Sequence, residues 1–151
     1  MTIRMAAAAA LGLAVALPAS AAAAPGQGDV LTYALQAAVE DPAVAAKLAP
    51  GVKLFFGDQP AKVVKEIGPT ETSRVGVRPA RKTPISDRCI RVAGNALISL
   101  SEDAKARGGN AVVRIRSNYG GRASDNPLKF ECVLGLQMLT VSLSGAVAVV
   151  E

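Results

Sequence analysis

The chain contains no histidine and no tryptophan, and its 151 residues include only two tyrosines, three phenylalanines and two cysteines. Each shortage excludes something. Without imidazole, serine and cysteine nucleophiles lack the base that ordinarily activates them. The mixed cysteine and histidine sets that hold zinc or copper cannot be assembled, and two thiols alone are too few for a closed metal site. The aromatic platform on which nucleic-acid bases stack is missing, so the formal net charge of +5 does not point to nucleic acid. The carboxylates Glu40-Asp41 and Glu102-Asp103 are sequence neighbours, and neighbours along a helix do not face one another. These shortages predict a protein that is not an enzyme and that uses no metal or other cofactor.

Long apolar runs are scarce too. Arg4 precedes an apolar run over residues 5–17, and the small-residue pattern Ala19-Ser20-Ala21 follows. That is the order of n-region, h-region and cleavage site in an export signal. The run falls short of the roughly 20 apolar residues that a membrane span needs. The expectation is a signal peptide over residues 1–24, cut after Ala21, Ala22 or Ala24. A single periplasmic or secreted domain over residues 25–151 follows, with no membrane span. In an oxidising compartment an even cysteine count makes a disulfide between Cys89 and Cys132 the default. Open alternatives are a buried free thiol and, because Cys89 sits near a helix N-terminus, an activated thiolate.

The remaining sequence alternates between the two periods. Val30–Ala34 reads as a short strand, and residues 35–48 as a helix that Pro42 interrupts, with Asp41 capping the restart. Residues 52–56 and 61–67 are β-rich runs around Gly57-Asp58-Gln59-Pro60, which predicts a hairpin. Residues 70–82 are polar and basic, either an edge strand or a surface loop. Ser86 or Asp87 caps the best helix, which Gly108-Gly109 closes. Between them Cys89, Ala93, Ala96, Leu97, Leu100 and Ala104 recur at steps of three and four as one apolar stripe. Ala111, Val113 and Ile115 then alternate with Val112, Arg114 and Arg116, predicting a half-buried strand. Leu128, Phe130, Cys132 and Leu134 predict a second, Leu139, Val141 and Leu143 a third, and residues 146–150 a last apolar strand. The helix stripe and the Cys132 strand face would meet if one helix packs on one sheet. The expected fold is therefore α+β, an antiparallel or mixed sheet with one main helix on one face.

Arg74, Arg78, Arg81, Lys82, Arg88 and Arg91 form the one concentration of charge. It reads as a solvated loop entering a helix, or as a docking surface for an acidic partner or an anionic envelope polymer.

Several segments also carry a resemblance. Val52-Lys53-Leu54-Phe55-Phe56-Gly57-Asp58-Gln59 with Lys62-Val63-Val64 resembles a family of small exported bacterial proteins. So do the helix bearing Cys89, the junction Gly108-Gly109-Asn110-Ala111-Val112-Val113, and Phe130-Glu131-Cys132 with Gly135, Met138, Val141, Leu143 and Gly145. Its members are often labelled homologues of an excinuclease ATPase subunit. That activity does not transfer, because the chain has no G-x-x-x-x-G-K-S/T phosphate loop and no zinc-ligand cluster. More distantly, the order helix, glycine, Asn-Ala-Val-Val strand, cysteine strand resembles YbjQ-like domains, often described as heavy-metal-binding. It also resembles the signalling domain of the Rcs stress-sensor lipoprotein. These resemblances imply a compact sheet with a packed helix. The sensor's lipidated cysteine has no counterpart here, and the position that would pair with Cys132 on the preceding strand is Ser117.

The functional expectation is an exported, non-enzymatic envelope protein, a binding or stress-accessory module acting through an envelope protein partner. The alternative is a small-ligand or metal-ion binding domain, possible as a homo-oligomer joined through its apolar strands.

Overall fold

The computed structural model describes residue 26 and residues 28–80 and 82–151. The expected signal peptide, and Arg81 of the basic stretch, lie outside the described residues. In chain order the elements are β1 (Val30–Ala34), α1 (Leu35–Glu40), α2 (Pro42–Ala45), β2 (Lys53–Phe56), β3 (Val63–Val77), α3 (Ile85–Ala106), β4 (Ala111–Ser117), β5 (Lys129–Leu134) and β6 (Met138–Val150). They build a mixed six-stranded sheet with α3 on one face, an α+β fold as the sequence pattern predicts.

The apolar stripe of α3 is its buried face. Cys89, Ala93, Ala96, Leu97, Leu100 and Ala104 are at most 1 % exposed. The buried face is wider than the stripe, taking in Val92, Gly94 and Ser101, because α1 and α2 cover a second flank of the helix. Asp41 accepts a hydrogen bond from the Ala43 amide at 2.9 Å, the expected restart at Pro42. Val44 of α2 then rests directly over Gly94, where a Cβ would collide with its methyl group. Ser101 ties the same layer together, its Oγ accepting from the Ala49 amide at 3.0 Å. At the C-terminus the Gly109 amide reaches Ala104 O and the Gly108 amide reaches Lys105 O. With Gly108 at φ +79°, this is a Schellman closure. The start differs from expectation. Pro84, not Ser86 or Asp87, is the N-cap, and no side chain caps the helix.

Strand β6 is the centre of the sheet. β3 runs antiparallel along one of its edges, from Val63 opposite Val150 to Val77 opposite Met138. The other edge is shared, β5 meeting Leu139 and Thr140 while β4 meets residues from Leu143 to Ala148. β1 lies antiparallel outside β5, and β2 lies parallel outside β4. The predicted hairpin of β2 and β3 therefore does not form. The Gly57 amide donates to Ile115 O, and Gln59 Oε1 accepts from the Phe56 amide. These bonds tie the turn to β4 and send the chain across the sheet to the far side of β6.

Strand β4 also departs from simple alternation. Val112 and Ile115, three apart, share the main core with α3, whereas Ala111 and Val113 join a second cluster on the opposite face. Arg114 sits between them at φ +55°, where the register to β6 slips between Val113 and Arg116. An extra residue in a strand flips the side chains that follow it. Ile115 thus faces away from Ala111 and Val113, and Val112 is core. Leu128 is a further correction. At 56 % exposed it precedes β5 in a turn, its carbonyl accepting from the Leu35 amide, so it never joins the pleat that buries Phe130, Cys132 and Leu134.

The contact between α2 and α3 gives a direct test. Gly94→Ala should destabilise by about 1–3 kcal/mol through overpacking, read from the denaturant midpoint. In a Val44→Ala background the same change should cost markedly less, because the colliding methyl is gone.

Candidate interaction surface along β3

The two cysteines meet. Cys89, in the first turns of α3, and Cys132, in β5 opposite Leu31, form a disulfide with Cα atoms 5.9 Å apart. Both are 0 % exposed. While that bond stands, neither sulfur can act as nucleophile or thiolate ligand. Among the described residues, no group of three or more cysteines and carboxylates is placed to hold a metal ion.

Of the acidic pairs, Asp41 caps α2 and Asp103 serves structure. Asp103 accepts from Thr70 Oγ1 at 2.7 Å and from Arg107 Nη1 at 3.1 Å, and Arg107 Nη1 also donates to Pro69 O. These bonds begin a polar seam that fastens the flank of α3 to β3. A shallow cleft of about 380 Å³ opens on the other side of the sheet, lined by residues including Glu71, Ser73, Asn118 and Ser142. Among the described residues that line it, Glu71 is the one ionisable side chain, and Ser73 and Ser142 spend their hydroxyls on each other at 2.6 Å.

The edge of β3 is the more informative feature. Among the described residues, β3 pairs with β6 alone, which leaves its second edge without a strand. Its first half is guarded as natural edges are. The register slips twice, between Val63 and Lys65 and between Glu66 and Gly68, and Pro69 follows. Residues 70–77 carry neither bulge nor proline, only the charges of Glu71 and Arg74, and keep continuous register to Val77. The Arg78 amide donates to Gln137 O at 2.7 Å, which sets the alternation of the ladder. Even-numbered residues turn their amides and carbonyls toward β6. Glu71, Ser73, Val75 and Val77 turn theirs toward the open edge.

Side chains along this half divide by face. Gly76 faces α3, where a Cβ would press on Val92 and lie 3.6 Å from the stem of Arg88. Val75 and Val77 face away, 61 % and 63 % exposed. Val75 continues a row across the outer face of four strands, paired to Thr140, then Val133, then Val30. Met138 lies beside Val77.

The basic stretch is distributed around this edge. Arg74, on the α3 side of β3, donates through Nε and Nη2 to Ser99 Oγ. Arg78 Nη1 donates to Gly135 O at 3.2 Å. Lys82 and Arg91 are exposed and Arg88 is half-buried. Arg88 and Arg91 line a cleft of about 250 Å³ with Thr83 and Asp87. The structure thus sets Arg74 and Arg88 along the groove between α3 and β3, while Arg91 lies at the cleft with Thr83 and Asp87. Sequence reasoning missed Val75 and Val77 as surface features. Their signal was the two-residue spacing within a polar run.

Tyr33 stacks on Phe130 at a centroid distance of 5.8 Å, and burial raises its phenol pKa above the ordinary 10.0.

No protein-family model matches the chain, and no curated protein matches it. Among solved structures it is similar to a protein of unknown function from Pediococcus pentosaceus in the DUF74 family. That similarity has a TM-score of 0.48 at 12 % identity, covering 67 % of this chain and 99 % of the other.

Two measurements follow from these groups. Replacing both cysteines with alanine should lower stability by about 4 kcal/mol on chain-entropy grounds, given the separation of 43 residues. Alkylation should label no thiol in the folded, unreduced protein and both after denaturation and reduction. For Tyr33, the neutral form is the one the fold favours. Its contribution is complete below about pH 10 and is lost as pH rises through the elevated folded value. Tyr33→Phe should flatten that alkaline decline in stability, followed by denaturant titration across the range.

Proposed function

We propose that the protein is an exported, non-enzymatic module of the cell envelope that works by binding a protein partner. The observation that carries this reading is the regular edge over residues 70–77, free of bulge and proline. There, main-chain donors and acceptors stand beside exposed Val75 and Val77. Soluble proteins ordinarily blunt such edges because they template pairing with other chains. A sequence that guards residues 63–69 of the same strand and leaves the next stretch open fits a surface kept for a partner. The absence of histidine and the sealed disulfide agree with a role that needs no chemistry of its own. A periplasmic or secreted location agrees with the signal pattern of residues 1–24 and with the cystine.

The test is site-specific photo-crosslinking in cells that express the protein. A photoreactive residue at Val75 should yield a discrete protein adduct, whereas the same group at Lys47, exposed beyond α2, should not. Adducts absent from both positions and from the rest of the surface would sink the reading.

A further inference from the structure

We infer that residues 70–77 of β3 receive an extended acidic peptide, in which carboxylates alternate with apolar side chains and whose backbone adds to the sheet as a further strand. The inference rests on the partner-binding reading above and specifies its chemistry. Strand addition needs main-chain groups in regular spacing, and Glu71, Ser73, Val75 and Val77 supply them toward the open edge, on the phase fixed by the Arg78 to Gln137 bond. A strand laid there projects its side chains alternately to the two faces of the sheet. On the outer face they meet Val75 and Val77, which are exposed. On the α3 face they meet the side of the strand where Arg74 reaches Ser99 and the stem of Arg88 lies against Gly76, with Asp87 the opposing charge beside Arg88. Apolar residues on one face and carboxylates on the other therefore complement what the edge presents.

Charge disfavours one register of pairing with a second copy of this chain. A two-fold pairing centred on Gly76 would place Arg74 of one copy opposite Arg78 of the other, and like charges directly opposite destabilise a strand pair. An acidic strand relieves that repulsion.

The probe is a synthetic heptapeptide of alternating valine and glutamate, titrated by fluorescence anisotropy into the mature, disulfide-bonded protein. Replacing glutamate by lysine should weaken binding about tenfold or more, and added salt should weaken the acidic peptide. N-methylation of alternate peptide amides should cause a comparable loss, because it removes the donors that face β3. On the protein side, Val75→Pro deletes an amide that faces the open edge and not β6. It should abolish binding while the far-ultraviolet spectrum stays native. The paired variant Arg74→Glu with Arg88→Glu should lose the acidic peptide and gain the basic one. Equal binding of both peptides, or indifference to N-methylation, overturns the inference. So does a dimer that Val75→Pro dissolves, which would seat a second copy on the edge. If Val75 crosslinks a partner while no peptide binds, strand addition fails and the broader reading survives. If neither occurs, both fail.

Discussion

The hydrogen-bonding capacity of β6 decides where everything else in the sheet can go. Its thirteen residues give one whole edge to β3 and divide the other between β5 and β4. Once both edges are filled, every other strand must lie outside a neighbour of β6. β1 goes beyond β5, β2 beyond β4, and among the described residues the far side of β3 stays open. The same strand separates the cores. Leu139, Val141, Leu143 and Val147 face α3, while Ala146, Ala148 and Val150 face the smaller cluster covered by Phe55 and Ala61. The small residues suit a face that one aromatic ring can roof. They also leave room for Arg114 to reach Glu66 at 2.7 Å, an exposed pair worth at most about 1 kcal/mol.

Helix α3 is held to this frame at both ends and along one side. The cystine fixes its first turns to β5. Its last turns are fixed by Asp103 to Thr70 and by Arg107 to Pro69 O, and its middle by Arg74 to Ser99. Between these ties the contacts are apolar, and a fully buried leucine such as Leu97 or Leu100 is worth about 1.5–3 kcal/mol. Gly76 lets the helix approach β3 closely enough for Val92 to seat. Arrangement of the open edge and arrangement of the basic groove are thus one consequence of how α3 docks.

Features decided within a few residues were legible in the sequence. The stripe on α3, the Asp41-Pro42 restart, strand Val30–Ala34 and the alternation through Phe130, Cys132 and Leu134 all depend on local period and capping. Both thiols lie on faces that the pattern turned inward, so their meeting was readable as well. Features decided by distant partners were not. The turn at Gly57 is fastened by Ile115, far along the chain, and local composition reads it as a hairpin. The bulge at Arg114 exists because β4 must keep its pairing with β6 on either side of a slip, and nothing in Arg-Ile-Arg announces a left-handed residue. Val75 and Val77 look like ordinary strand residues until the edge beside them is known to be vacant. The candidate surface was visible as charge, through Arg74 and Arg88, but its backbone component belongs to topology.

The cystine has a consequence for how such a chain must mature. With only two cysteines in the sequence, a single intramolecular pairing exists, so the chain offers an oxidase one product and an isomerase nothing to correct. Both sulfurs end up inside the finished core, where thiolate exchange cannot reach them. Oxidation must therefore precede or accompany the docking of α3. A chain that closes before it is oxidised would keep two thiols beyond the reach of any catalyst until it opens again.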